Sequence, residues 1–166
     1  MTAPETPQTG PQHAAPAESS HEDDREDGGA RVARIARQFI EAIPHARALG
    51  MRLEDLGEGR AVISLPWNPD LVGDPRSGVI HGGVISTLMD TCSGAAVMAH
   101  PEGPRVTATI DLRIDYMRPA TPRQGIRARA ECYHVTRSVA FVRAWAVDDD
   151  DSRPVASASG AFTFER

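Results

Sequence analysis

The chain has 166 residues, long enough for one domain with a real core and short for two. Its formal charge of −5 is uneven: residues 1–30 hold seven acids against Arg25, so that stretch carries −6 and the remainder +1. A nearly neutral body, with arginine as its basic residue throughout, offers no broad basic surface for nucleic acid, and two scattered cysteines, Cys92 and Cys132, exclude a disulfide framework.

Residues 1–30 are rich in Pro, Ala, Gln, Ser and acid and lack large apolar residues beyond Met1, so a disordered acidic tail is expected. The start has neither a basic n-region nor an apolar h-region, and no segment reaches membrane-spanning length without polar breaks. The expectation is a cytoplasmic protein with a single domain over 31–166 and no membrane partner. Val32, Ile35, Phe39, Ile40 and Ile43 then form one stripe with arginines opposite, which predicts an extra N-terminal helix ended by Pro44. Two short alternating runs, Met51–Leu56 and Arg60–Leu65, flank Gly57-Glu58-Gly59 and predict a hairpin. Trp67 to Ser77 reads as a loop.

The next stretch is the one long apolar segment, opening His81-Gly82-Gly83 and carrying a single acid, Asp90. Val84, Ile85, Leu88, Met89, Val97 and Met98 recur at spacings of three and four, which predicts a helix that is apolar nearly all round and enclosed by other structure. A buried carboxylate has to be paired, hydrogen-bonded or protonated. Two readings of Asp90 follow: an ion pair with Arg105, Arg113 or Arg118, or a reactive group. Glycines at a helix start leave backbone N–H groups open to a ligand oxygen, where they can stabilise an oxyanion. Gly82 and Asp90 are eight residues apart, roughly 12 Å along a helix axis, too far to act on one carbonyl. Antiparallel helices of a homodimer would bring Gly82 of one chain beside Asp90 of the other.

After Pro101-Glu102-Gly103-Pro104, residues 106–118 alternate apolar and polar side chains and predict a strand. Pro119 and Pro122 break it. Further strands are predicted over Ile126–Val135, Val139–Val147 and Val155–Phe164, with Thr136-Arg137-Ser138 as a tight turn and Asp148–Asp151 as a solvated acidic loop without function. The sum is an α+β fold: an antiparallel sheet wrapped around a central helix.

His81-Gly82-Gly83 opening the helix, Asp90 after it, and a strand ending Asp115-Tyr116-Met117-Arg118-Pro119-Ala120 together resemble the hotdog-fold acyl-CoA thioesterases of the PaaI-like branch, over roughly residues 45–165. The resemblance implies hydrolysis of an acyl-CoA thioester to free acid and CoA by a homodimer or a dimer of dimers. It gives the Gly82 amide the role of polarising the carbonyl, with Gly83 beside it in substrate binding. It makes Asp90, from the opposite subunit, the general base or nucleophile, and Thr109 the hydroxyl that holds the water. Strict alternation sets Thr109 on the opposite face from Ile110 and Ile114. The branch often has an amide residue six positions before the histidine, where this chain has Pro75 with Asp74 beside it. Asp74 either takes over that role or is a turn residue. His81 either touches the site or fixes the loop through the backbone. Arg118, Arg137 and Ser138 match the nucleotide-holding neighbourhood of similar proteins, or are ordinary exposed residues. No cofactor is implied, since CoA is part of the substrate, and no metal, since the six histidines lack ligand spacing.

Two other functions compete. A non-catalytic acyl-CoA-binding module predicts that an arginine occupies Asp90. An enoyl-thioester hydratase needs a catalytic histidine in a different motif, and none precedes this helix. Leu71, Val72, Met89, Val97 and Trp67 are candidates to line an aryl or medium-chain acyl pocket, or are core.

Overall fold

The computed structural model describes residues 42–104 and 106–165. The expected acidic tail and nearly all of the expected helix over 30–43 lie outside them, as does Arg105. Ala42 is helical, Ile43 is a bend, and Pro44 stands in the first turn of the next helix, α1 (Pro44–Ala48), so the break expected at Pro44 is present and a second helix opens on it. A first-turn N–H has no intrahelical acceptor, so proline loses nothing there.

Strands β1 (Arg52–Gly57) and β2 (Arg60–Leu65) form the expected hairpin. Glu58 and Gly59 turn it with φ of 48° and 78°, the left-handed pair whose twist matches that of the flanking strands. The predicted loop after Trp67 holds more order than its composition suggested. Val72–Asp74 (β3) pairs with Val79–Ile80 (β4) in a separate two-stranded ribbon, and the Trp67 indole donates to Gly78 O at 3.0 Å. Polar and turn-forming residues disguise so short a ribbon.

The long helix α2 (Gly82–Met98) follows, then β5 (Thr109–Tyr116), β6 (Ile126–Val135), β7 (Val139–Val147) and β8 (Ala156–Thr163). The six long strands form one antiparallel sheet in the order β1-β2-β6-β7-β8-β5. Consecutive hairpins explain β6-β7-β8. The β5 strand, cut from β6 by Pro119 and Pro122, pairs instead with β8 and forms an edge.

α2 packs across β2, β6 and β7. Ala128, Ala130, Ala144 and Ala146 make a floor of small side chains on which Leu88, Met89 and Cys92 rest, fully buried. Each such large side chain contributes about 1.5–3 kcal/mol by leaving water. The helix is not enclosed all round, however. Gly83, Thr87, Asp90, Thr91, Gly94 and Met98 stay uncovered or half-buried, a stripe at spacings of three and four that no element among the described residues covers. Asp90 is therefore half-buried rather than sealed. Among the described residues no helix is long and apolar enough to cross a membrane.

Asp148–Asp151 is not a purely solvated turn. Asp148 is 3% exposed and accepts from Arg118 Nη1 (2.7 Å) and Nη2 (2.8 Å), from Thr121 N (3.0 Å) and Oγ1 (2.8 Å), and from Asp150 N (3.1 Å). The Arg118 guanidinium, foremost, holds its carboxyl well below the usual carboxylate range. Four successive acids hide that the first points inward.

Candidate active site

The start of α2 is held by three side chains. His81 is the N-cap, and its Nδ1 accepts the Gly83 N–H at 2.9 Å, while its own backbone N–H donates to Leu71 O at 2.9 Å. Gly73 of β3 lies so close that a Cβ there would stand 2.8 Å from the His81 Cα, which ties the β3-β4 ribbon to the cap. From the other side the Tyr116 hydroxyl donates to Gly82 O at 2.7 Å and lies 2.6 Å from Ser86 Oγ. The peptide between Gly82 and Gly83 is thus fixed at both its oxygen and its nitrogen. The peptide before it is fixed by Val84 N donating to His81 O at 3.0 Å. What stays open is the N–H of Gly82, which has no acceptor among the described residues. Of the two glycine amides expected to be open, the Gly83 amide is taken by the histidine ring.

Two turns further along, Thr109 Oγ1 donates to Asp90 Oδ1 at 2.7 Å. The structure brings these two residues together although strict alternation set Thr109 on the wrong face. A bulge in β5 is the reason: Thr109 faces Phe162 of β8 and Asp111 faces Ala161, so Ile110 is an extra residue and the alternation slips by one. Among the described residues no arginine pairs with Asp90. Arg113 pairs with Asp115 at 2.9 Å and Arg118 with Asp148.

The other expected residues divide. Asp74 closes its own turn, accepting from Ser77 Oγ at 2.8 Å and Arg76 N at 3.1 Å, and the Ser77 hydroxyl, foremost, lowers its pKa. Arg118 has no donor left for a phosphate: beyond Asp148, its Nε and Nη2 bond Arg153 O and its Nη1 bonds Pro119 O. The expectation that Arg118 holds a nucleotide is thus at odds with its geometry, because the adjoining turns consume the whole guanidinium. Arg137 and Ser138 are exposed in the β6-β7 turn. Tyr116, Ser86 and Asp148 carried no expected role. For Ser86 a signal existed, since it lies four residues from both Gly82 and Asp90 and so on the same helix face.

Two cavities open on opposite ends of α2. One, of about 460 Å³, has Gly82 on its wall with Val79, Ile80, Ile85, Tyr116, Met117 and Val155. The other, of about 330 Å³, has Asp90, Thr109, Thr87, Thr91, Met98 and Phe162. Within one chain the open amide and the carboxylate therefore line separate cavities.

Residues 77–155 match the family model described as the thioesterase superfamily. A medium/long-chain acyl-CoA thioesterase of Salmonella typhimurium is 28% identical over 141 residues, 77% of this chain and 90% of that protein. A crystal structure of a Pseudomonas aeruginosa protein shares 41% identity at a TM-score of 0.71, over 80% of this chain and 98% of that one. A mutant of the phenylacetic acid degradation protein PaaI from Thermus thermophilus shares 28% identity at a TM-score of 0.64, over 73% and 98% of the two chains. A Bordetella protein of the thioesterase superfamily shares 30% identity at a TM-score of 0.73, over 81% of this chain and 99% of that one, and with the sheet order and the long helix across it the chain belongs to the thioesterase superfamily and has the hotdog fold.

Proposed function

We propose that the protein hydrolyses acyl-CoA thioesters, at sites that two copies of the chain build together. The observation that carries this reading is the Asp90 carboxylate, fixed by Thr109 at 2.7 Å on a cavity wall, with no arginine upon it among the described residues. A module that had lost hydrolysis would be expected to neutralise that acid. Thr109 occupies Oδ1, which leaves Oδ2 to take a proton from water as the water oxygen attacks the thioester carbon. The oxyanion that forms is held by the Gly82 N–H. The C–S bond then breaks, and the CoA sulfur leaves with the proton that Asp90 took up. Thr109 retains oxygen lone pairs to orient the water. The chemistry uses no group beyond substrate, water and protein.

Separate cavities for Gly82 and Asp90 support assembly from two chains. So does β5, an edge strand flanked by Val106 (62% exposed) and Met117 (61% exposed), apolar surface that a second copy would cover. A two-fold pairing along β5 runs the two α2 helices antiparallel and sets each Gly82 toward the other chain's Asp90. The apolar wall beside Gly82 suits an alkyl or aryl acyl group, in keeping with the name of the Salmonella relative. Arg137 and Ser138 remain as candidates for the nucleotide end.

A panel of acyl-CoAs assayed by free-thiol release tests the reading. Asp90→Asn is expected to lose about 10²–10⁴-fold in kcat. Equal turnover by both proteins on the best substrate removes Asp90 from the mechanism, and a monomer by gel filtration with light scattering removes the composite site.

A further inference from the structure

One pair along the ladder from the bulge in β5 stands a glycine with no left-handed torsion to justify it. Gly160 of β8 pairs with Leu112, and a Cβ there would lie 2.5 Å from Asp111 O, 2.8 Å from Leu112 Cδ1 and 3.1 Å from Leu112 Cα. Two of those three atoms are backbone and cannot rotate away. The position needs space rather than freedom of φ.

The ladder around it decides which residue faces the helix. Phe162 is 2% exposed, and residues directly opposed in a ladder share a face, so Thr109, opposite Phe162, is turned inward to Asp90. Ile110, the extra residue, is turned out and 55% exposed. Counted back from Leu112 and Ile114 without a bulge, Ile110 would take the place opposite Phe162 and present an alkyl group to Asp90.

We infer that Gly160 is a positioning residue: by making room for the bulge at Ile110, it selects Thr109 over Ile110 as the partner of Asp90. Its kinetic consequence rests on the hydrolase reading, whereas its structural consequence does not. Adding a methyl group in Gly160→Ala presses on the Asp111 carbonyl, and regularising the ladder relieves that pressure at the expense of the Thr109–Asp90 bond. Deleting Ile110 in the same background regularises the ladder with Thr109 again opposite Phe162.

Crystal structures and acyl-CoA kinetics of wild type, Gly160→Ala, and Gly160→Ala with Ile110 deleted test this. The bond from Thr109 to Asp90 is expected in the first, absent from the second and restored in the third. The kcat is expected to fall about 10²-fold in the second, as for a displaced catalytic group, with KM unchanged, and to recover in the third. A Thr109–Asp90 bond retained in Gly160→Ala, or not regained on deletion, overturns the inference. Deleting Ile110 from the glycine-containing chain serves if Gly160→Ala does not fold: the bond is expected to persist there, and its loss is equally fatal. Wild-type crystals with the bond in place but no turnover of any acyl-CoA would dispose of the hydrolase reading alone.

Discussion

Replacing Asp148 by asparagine probes the buried pair that shapes the turn after β5. The amide keeps the shape of the carboxylate but can accept through only one atom. Its better orientation places oxygen at the Oδ2 site, which serves Arg118 Nη1 and both Thr121 donors, and NH₂ at the Oδ1 site, where Arg118 Nη2 and Asp150 N lose their acceptor. Asp148 is 3% exposed, so water does not replace what is lost. One charge-assisted and one neutral hydrogen bond, with a cation left half-paired, amount to about 3 kcal/mol. In a chain of this length that lowers Tm by about 9 °C. The pH dependence has a fixed sign. Because the folded pKa of Asp148 is depressed, its contribution is complete above the unfolded value of about 3.9 and is lost as the pH falls below it. Calorimetry of both proteins should show the gap at pH 7 and its narrowing by about 1.4 kcal/mol per pH unit below about pH 3.9. Equal Tm values at neutral pH, or a gap that widens in acid, refute the argument.

Two further outcomes are expected. Tyr116→Phe removes the donor to Gly82 O and loosens the peptide next to the open amide. The kcat should fall roughly tenfold, less than for deleting an oxyanion donor itself, with KM and Tm little changed, and an unchanged kcat refutes the clamp. Burial pushes the Cys92 thiol up to about 12 and raises Cys132 as well, so a thiol reagent at pH 8 should label neither in the native protein and both in urea. Rapid labelling of the native protein contradicts that burial. Silent native thiols also keep the CoA-release assay free of background.

Much of this fold was legible because its strands alternate strongly: β6, β7 and β8 announce themselves through Ala128, Ala130, Ala144, Ala146, Ala156 and Ala158 on one face. The pairing of β5 with β8 rather than β6 was not legible, because alternation gives a strand's faces and not its neighbours. Nor was the bulge at Ile110, which depends on the space at Gly160 in a strand some fifty positions away. Asp90 and Gly82 stood out from local chemistry alone, an acid in an apolar helix and glycines at its start. Arg118 misled for the complementary reason. Its engagement with Asp148 and Arg153 O is non-local, and an arginine that fills a turn reads in one dimension like an arginine that waits for a phosphate.

One consequence of the open amide and the acid sitting on one uninterrupted helix is mechanical. In a two-fold pair, α2 of each subunit is a push-rod with one half-site at its first turn and the other two turns along, at its middle. A bound acyl group that draws Gly82 along the axis moves Asp90 by the same distance at the other site, since a helix slides far more easily than it stretches. The two sites of such a pair would then share a single sliding coordinate, and occupancy at one would set the clearance at the other.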